Sequence, residues 1–142
     1  MKLNLLLSYA LVCFLLLSCK TGENRIVPYV KVDQTVFLSD PINFNINFAG
    51  GWVYLAAGSR GIILYRLDQE RFVAFDRHCT YDIDNPNGIV EVDTSQILLS
   101  DPSCGSKFII TDGSIYNGPA ELPLQQYQTY FDVNANTVRV YN

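Results

Sequence analysis

Histidine is almost missing from this chain: His78 is the only one in 142 residues. One copy cannot supply two imidazoles to any centre. A hydroxyl nucleophile such as Ser106 has no base to call on but His78, and no nucleophile motif joins the two. Positive charge is also short. Ten Lys and Arg stand against 14 Asp and Glu, giving a net charge of −4 and a pI near 4.7. That leaves no basic footprint for nucleic acid, and it disfavours electrostatic docking on anionic lipid. No segment from Ile26 onward keeps a helical period, so a helical bundle is excluded. Cysteine is limited to Cys13, Cys19, Cys79 and Cys104.

What is present is apolar and short-ranged. Hydrophobic residues make up 49% of the chain and charged ones 17%, which suits one globular domain. The longest apolar run, Leu3 to Leu17, follows Lys2 and is broken only by Asn4 and Ser8. It falls short of the roughly 20 residues that a bilayer span needs and reads as a secretory signal. The run ends in Leu16-Leu17-Ser18-Cys19, which resembles the bacterial lipobox. That resemblance implies cleavage before Cys19, lipid on Cys19 and stable membrane anchoring. Lys20 to Arg25 is polar and reads as a tether. The expected division is residues 1–18 as signal peptide, 19–29 as lipidated cysteine and tether, and 30–142 as a β domain. Export places that domain in an oxidising bacterial envelope, on the periplasmic or outer-membrane side.

The mature chain reads as short strands and turns. Strands are expected over Ile26 to Leu38, Trp52 to Leu55, Ile62 to Tyr65 and Arg71 to Phe75. Ile42 to Phe48 alternates apolar residues with Asn and reads as a half-buried strand. Ile89 to Val92 and Gln96 to Leu99 pair as a hairpin through Asp93 to Ser95. Phe108 to Ile110 and Ser114 to Tyr116 pair across Asp112-Gly113. Tyr127 to Val133 and Thr137 to Tyr141 form a last hairpin through Asn134 to Asn136. The fold class is therefore an all-β sandwich or small barrel of short antiparallel strands.

Two stretches carry a resemblance: His78-Cys79-Thr80-Tyr81, and Asp101 to Phe108. Together with Asp112-Gly113, Gly118-Pro119-Ala120, Leu122-Pro123-Leu124 and Tyr127, they resemble the Rieske [2Fe–2S] domain family from about Ile62 to Asn142. The strand Phe72 to Phe75 is similar to the one that feeds that family's first cluster loop. The family's loops read Cys-x-His and Cys-x-x-His followed by Gly-Ser-x-Phe. Laid on that pattern, Cys79 keeps the first position. Tyr81 stands in place of the first His, Asp101 in place of the second Cys and Cys104 in place of the second His.

The resemblance implies a Rieske-like all-β fold without its chemistry. A Rieske cluster takes two thiolates and two imidazoles, and this chain owns one histidine. Tyr81 and Asp101 offer hard oxygens, which iron–sulfur cores rarely accept. No cofactor, metal or catalytic residue is expected. The bracing disulfide of many family members falls near Asp84 and at Ser103 and is also missing. In the family the two loop tips meet, and here each tip carries a cysteine. A Cys79–Cys104 disulfide is therefore expected as the clamp. Closing a loop of about 25 residues would stabilise the fold by roughly 3–4 kcal/mol.

Other groupings receive plainer readings. His78 is expected to be a surface or hydrogen-bonding residue, although a zinc ion on Cys79, Cys104, His78 and Asp101 is chemically conceivable. Asp76, Asp82, Asp84 and Asp101 are read as a solvated acidic face, with calcium the rival. Ser106 is read as turn chemistry shared with Gly105. Tyr116, Tyr127, Tyr130 and Tyr141 are read as core or rim residues of a sheet. The functional expectation is a lipid-anchored structural or binding module, an accessory to an envelope protein complex and not an enzyme. Its rival is an electron-transfer protein holding a [2Fe–2S] cluster or a single metal through non-standard ligands.

Overall fold

A computed structural model describes residues 27–142 of the chain. The signal segment, Cys19 and the tether up to residue 26 lie outside the described residues.

Ten strands and one short 3-10 helix build the domain. The strands are β1 (Asp33–Phe37), β2 (Trp52–Leu55), β3 (Ile62–Arg66), β4 (Phe72–Asp76), β5 (Glu91–Val92), β6 (Leu98–Ser100), β7 (Lys107–Ile109), β8 (Ile115–Asn117), β9 (Gln126–Asp132) and β10 (Thr137–Tyr141). Six of them form one sheet in the order β1-β10-β9-β4-β3-β2. The other four, consecutive in sequence, form a second sheet in the order β5-β6-β7-β8. Every strand pair is antiparallel. The all-β architecture of short antiparallel strands is the one that the turn spacing predicts.

The small sheet is an insertion between β4 and β9, so both cysteine loops belong to it. The Cys79 loop leaves β4 and the Cys104 loop joins β6 to β7. Strands β3 and β4 explain how the two halves hold together. Their apolar runs are buried nearly throughout. Successive side chains on a strand point to opposite faces. Ile62, Leu64, Phe72 and Ala74 therefore enter one core, with Val36, Leu38, Ile46, Val138 and Val140. Ile63, Tyr65, Val73 and Phe75 enter the other, with Val90, Leu99, Phe108, Ile110 and Leu124. Cys79 belongs to that second core. Phe75 and Phe108 are fully buried there, each stabilising the fold by roughly 1.5–3 kcal/mol.

One expected strand is not a strand. Pro41–Asn47 is a 3-10 helix. Its alternation of apolar residues with Asn mimics a strand, but Asp40 and Pro41 decide otherwise. The Asp40 carboxylate accepts the Ile42 N–H at 3.1 Å as an N-cap, and Pro41 begins the turn with its φ already fixed. Two of the asparagines then tie the helix back to the end of β1 and do not form an exposed strand face. Asn43 Nδ2 donates to the Phe37 carbonyl and Asn47 Nδ2 to that of Leu38, both at 3.0 Å. Only Ile46 of this segment is buried, while Ile42, Phe44 and Phe48 are exposed. The first expected strand is also shorter than its apolar pattern suggests, beginning at Asp33.

Candidate functional site

Both loops are pinned by buried polar groups. Asp76, at the end of β4, is wholly buried. Its carboxylate accepts from Ser59 N–H at 2.6 Å, Arg60 N–H at 3.2 Å, His78 N–H at 2.8 Å and Tyr127 O–H at 2.7 Å. Gly58 lets the chain come this close, since it sits at φ +75 and a Cβ there would lie 2.6 Å from Asp76 Oδ2. Arg60 then reaches over the first loop. Its guanidinium donates to the carbonyls of Ile83 at 3.1 Å, of Gly88 at 3.0 Å and of Asn85. Thr80 Oγ1 donates to the Leu122 carbonyl at 2.6 Å, tying the loop to the segment before β9.

The second loop is a tight turn. The Ser103 N–H donates to Asp101 Oδ1, and the Gly105 N–H to the Asp101 carbonyl, both at 2.8 Å. Asp101 is 1% exposed. Ser106 Oγ accepts the Ala120 N–H at 3.2 Å, which holds the turn against the Gly118 to Ala120 segment. This is turn chemistry, as expected. Between the loops, Asn85 Nδ2 donates to Ser103 Oγ at 3.3 Å.

The two cysteines meet as expected, but they are not bonded. Cys79 Sγ and Cys104 Sγ are 3.7 Å apart, and both are free thiols. A disulfide needs about 2.05 Å, so the expected Cys79–Cys104 bond is corrected to a contact. Each sulfur has other partners. Cys104 Sγ lies 3.3 Å from Asp101 Oδ2 and 3.1 Å from Ser106 Oγ, and it accepts the Ser106 N–H at 3.4 Å. Cys79 is hydrogen-bonded to Asp101 and accepts the Tyr81 N–H. Burial, helped by Asp101 and Cys104 and opposed by the Tyr81 N–H, pushes the Cys79 thiol up to about 12. Burial also works to raise Asp101. Hydrogen bonds from Cys79, Ser103 and Cys104 outweigh it and hold that carboxyl below the usual range.

His78 takes no part in this cluster. It is buried, not at the surface, and both ring nitrogens are engaged. Nε2 lies 2.8 Å from the Ile83 carbonyl, which can only accept, so Nε2 carries a proton. In the neutral ring Nδ1 then accepts the Ser59 O–H at 2.8 Å. The hydrogen-bonding role is the one found, and the set of Cys79, Cys104, His78 and Asp101 reduces to three. Those three, Cys79, Asp101 and Cys104, have their donor atoms within 4.8 Å of one another. Tyr81 is 54% exposed on the rim. The acidic face also dissolves: Asp82 and Asp84 are exposed, but Asp76 and Asp101 are buried with separate partners. Of the tyrosines, Tyr127 is core, whereas Tyr116 and Tyr130 are well exposed.

Sequence reasoning gives Asp76, Ser59 and Arg60 no role in holding the first loop. A signal does exist. Two glycines flank Ser59-Arg60, which marks a backbone with unusual φ at both ends, and both are positive here.

No family model matches this chain, and no curated protein matches it. Among solved structures, the chain is similar to one in a complex of reduced oxygenase and oxidized ferredoxin in carbazole 1,9a-dioxygenase. The identity is 20%, the TM-score 0.47, and the match covers 66% of this chain and 82% of that one. What the site can do follows from its own donors. A Rieske cluster asks for two thiolates and two imidazoles. The described residues bring two thiols and a carboxylate together, with the imidazole fixed elsewhere. That donor set does not fit the cluster.

Proposed function

We propose that this protein is a lipid-anchored component of a bacterial envelope. Its Rieske-like domain has lost the [2Fe–2S] cluster and serves as a structural or accessory binding module. The observation that carries the reading is the fate of the one histidine. His78 sits beside Cys79 in sequence, yet both of its nitrogens are spent on Ser59 and Ile83. The cluster's second iron would have no imidazole at all. The frame that presents the loops is nonetheless intact, held by Asp76, Arg60 and the Asn85–Ser103 bond. A scaffold kept in order without the ligands for its chemistry fits a role in binding. The lipobox-like Cys19 supports attachment to the membrane, and an envelope complex is the natural partner.

The test is direct. The full chain is purified without oxygen, and its visible spectrum, iron and acid-labile sulfide are measured. A chain without visible absorption or stoichiometric sulfide supports the reading. A red-brown chain with two irons and two sulfides per molecule overturns it. Radiolabelled palmitate on the wild type, but not on Cys19→Ala, checks the anchor.

A further inference from the structure

We infer that Cys79, Asp101 and Cys104 form a single-ion site for zinc or a similar dication, with the fourth coordination position open. This rests on the cluster-free reading above and departs from the expectation of no metal.

The distances carry it. With Zn–S bonds of about 2.3 Å, two sulfurs on a tetrahedral ion stand about 3.8 Å apart. Here they stand 3.7 Å apart. With a Zn–O bond of about 2.0–2.2 Å, the sulfur–oxygen edge is about 3.5–3.7 Å. Cys104 Sγ and Asp101 Oδ2 are 3.3 Å apart, a few tenths of an ångström inside that edge. Two edges thus lie within a few tenths of an ångström of those of a tetrahedral ion, and all three donor atoms lie within 4.8 Å of one another. A disulfide, by contrast, would need the sulfurs to close by more than an ångström and a half.

A dication displaces the thiol protons, including the one that burial holds on Cys79, and backbone donors stand ready for the thiolates. Each sulfur accepts a backbone N–H from two residues further on, Tyr81 for Cys79 and Ser106 for Cys104. The Cys104 thiol donates to Ser106 Oγ at 3.1 Å, and that hydroxyl can turn its own hydrogen toward the sulfur once the thiol proton is gone. Backbone N–H groups aimed at sulfur are of little use to a neutral thiol, a weak acceptor. They are well used by a metal thiolate, as outer-shell donors orient and tune metal ligands. Asp101 is placed in the same way, since Ser103 N–H holds Oδ1 and leaves Oδ2 toward Cys104. Two thiolates and a carboxylate would bring three negative charges to a largely buried site, which a dication offsets.

Among the described residues no fourth His, Cys, Asp or Glu joins these three. His78 is committed elsewhere. Cys104 is only half-buried, so water or a small ligand can reach the ion. Three protein ligands with one open position is the arrangement of zinc sites that bind or activate a ligand, not of closed structural ones.

The test uses the full chain, reduced with a phosphine, stripped with chelator and titrated with Co2+ and then Zn2+. Expected is one Co2+ per chain, with thiolate-to-cobalt charge transfer, the visible bands of tetrahedral cobalt, and displacement by Zn2+. Asp101→Asn keeps the shape and should weaken binding by more than the roughly 10- to 100-fold that an outer-shell loss costs. Cys104→Ser, at the half-buried position where folding is least at risk, should remove about half of the charge-transfer intensity. His78→Gln should leave both unchanged. No cobalt–thiolate band, or affinity unmoved by Asp101→Asn, overturns the site and leaves the cluster-free reading standing. Two irons with sulfide in the chain as isolated overturns both.

Discussion

His78 Nδ1 lies 2.8 Å from Ser59 Oγ, and this bond, with the Ile83 carbonyl on the other nitrogen, turns the chain's one imidazole away from the thiol next to it. His78→Ala leaves the part-buried Ser59 hydroxyl without its imidazole partner and leaves the Ile83 carbonyl to Arg60 alone. It should destabilise the full chain by about 1–3 kcal/mol in urea unfolding. Ser59→Ala should cost less. Because the two residues touch, the double variant should cost less than the sum of the singles. Strict additivity would mean that the bond contributes nothing.

Asp76 is the larger liability. Four donors converge on its carboxylate from three parts of the chain. Asp76→Ala strands them in the interior and should cost about 3 kcal/mol or more. Tyr127→Phe, which removes one of the four, should cost about 1 kcal/mol. Hydrogen exchange should show the Ser59, Arg60 and His78 amides losing protection in Asp76→Ala. Unchanged protection at those amides would refute the hub.

Gly118 sets the distance between the second loop and the segment behind it. It sits at φ +107, and a Cβ there would lie 2.6 Å from Ser106 Cα. Backbone cannot swing aside as a side chain can, so Gly118→Ala must push the Ser106 turn. We expect a loss of about 1–3 kcal/mol and shifted Cys104 and Ser106 amide resonances. Spectra that superimpose on wild type would show that the segment gives way instead.

Asp68 gives the clearest pH dependence. Its carboxyl is lowered from 3.8 to about 2, first by the Glu70 N–H and then by the Arg71 guanidinium and N–H. A folded-state value below the unfolded one stabilises fully above the unfolded value and loses that effect as pH falls through the folded one. The β3–β4 turn should therefore hold at pH 4 and loosen toward about 2. Carbon NMR of the Asp68 carboxyl should give a midpoint near the lower figure, and Asp68→Asn should flatten stability across that window. A midpoint near 3.8 would remove the argument.

Much of this was readable beforehand where one local signal dominates. The β3 and β4 runs announce strands buried on both faces, and Asn134 to Asn136 announces the closing hairpin. The meeting of Cys79 with Cys104 followed from the family resemblance. Where two signals compete, the reading fails. Ile42 to Phe48 has the period of a strand, but Asp40 and Pro41 cap and start a 3-10 turn that the period does not reveal. The site fails differently. Whether His78 faces the thiols depends on Ser59, 19 residues upstream, which no local pattern connects to it. The state of the sulfur pair turns on about 1.7 Å between contact and bond, finer than a loop motif can specify.

Strands β3 and β4 send alternate side chains into two separate interiors. Neither interior can melt while the other stays solid, because each would have to pull its half of the same four-residue runs out from under its neighbour. The small sheet is thus no detachable cap. The Cys79 and Cys104 loops therefore take their shape only when that whole end of the domain folds.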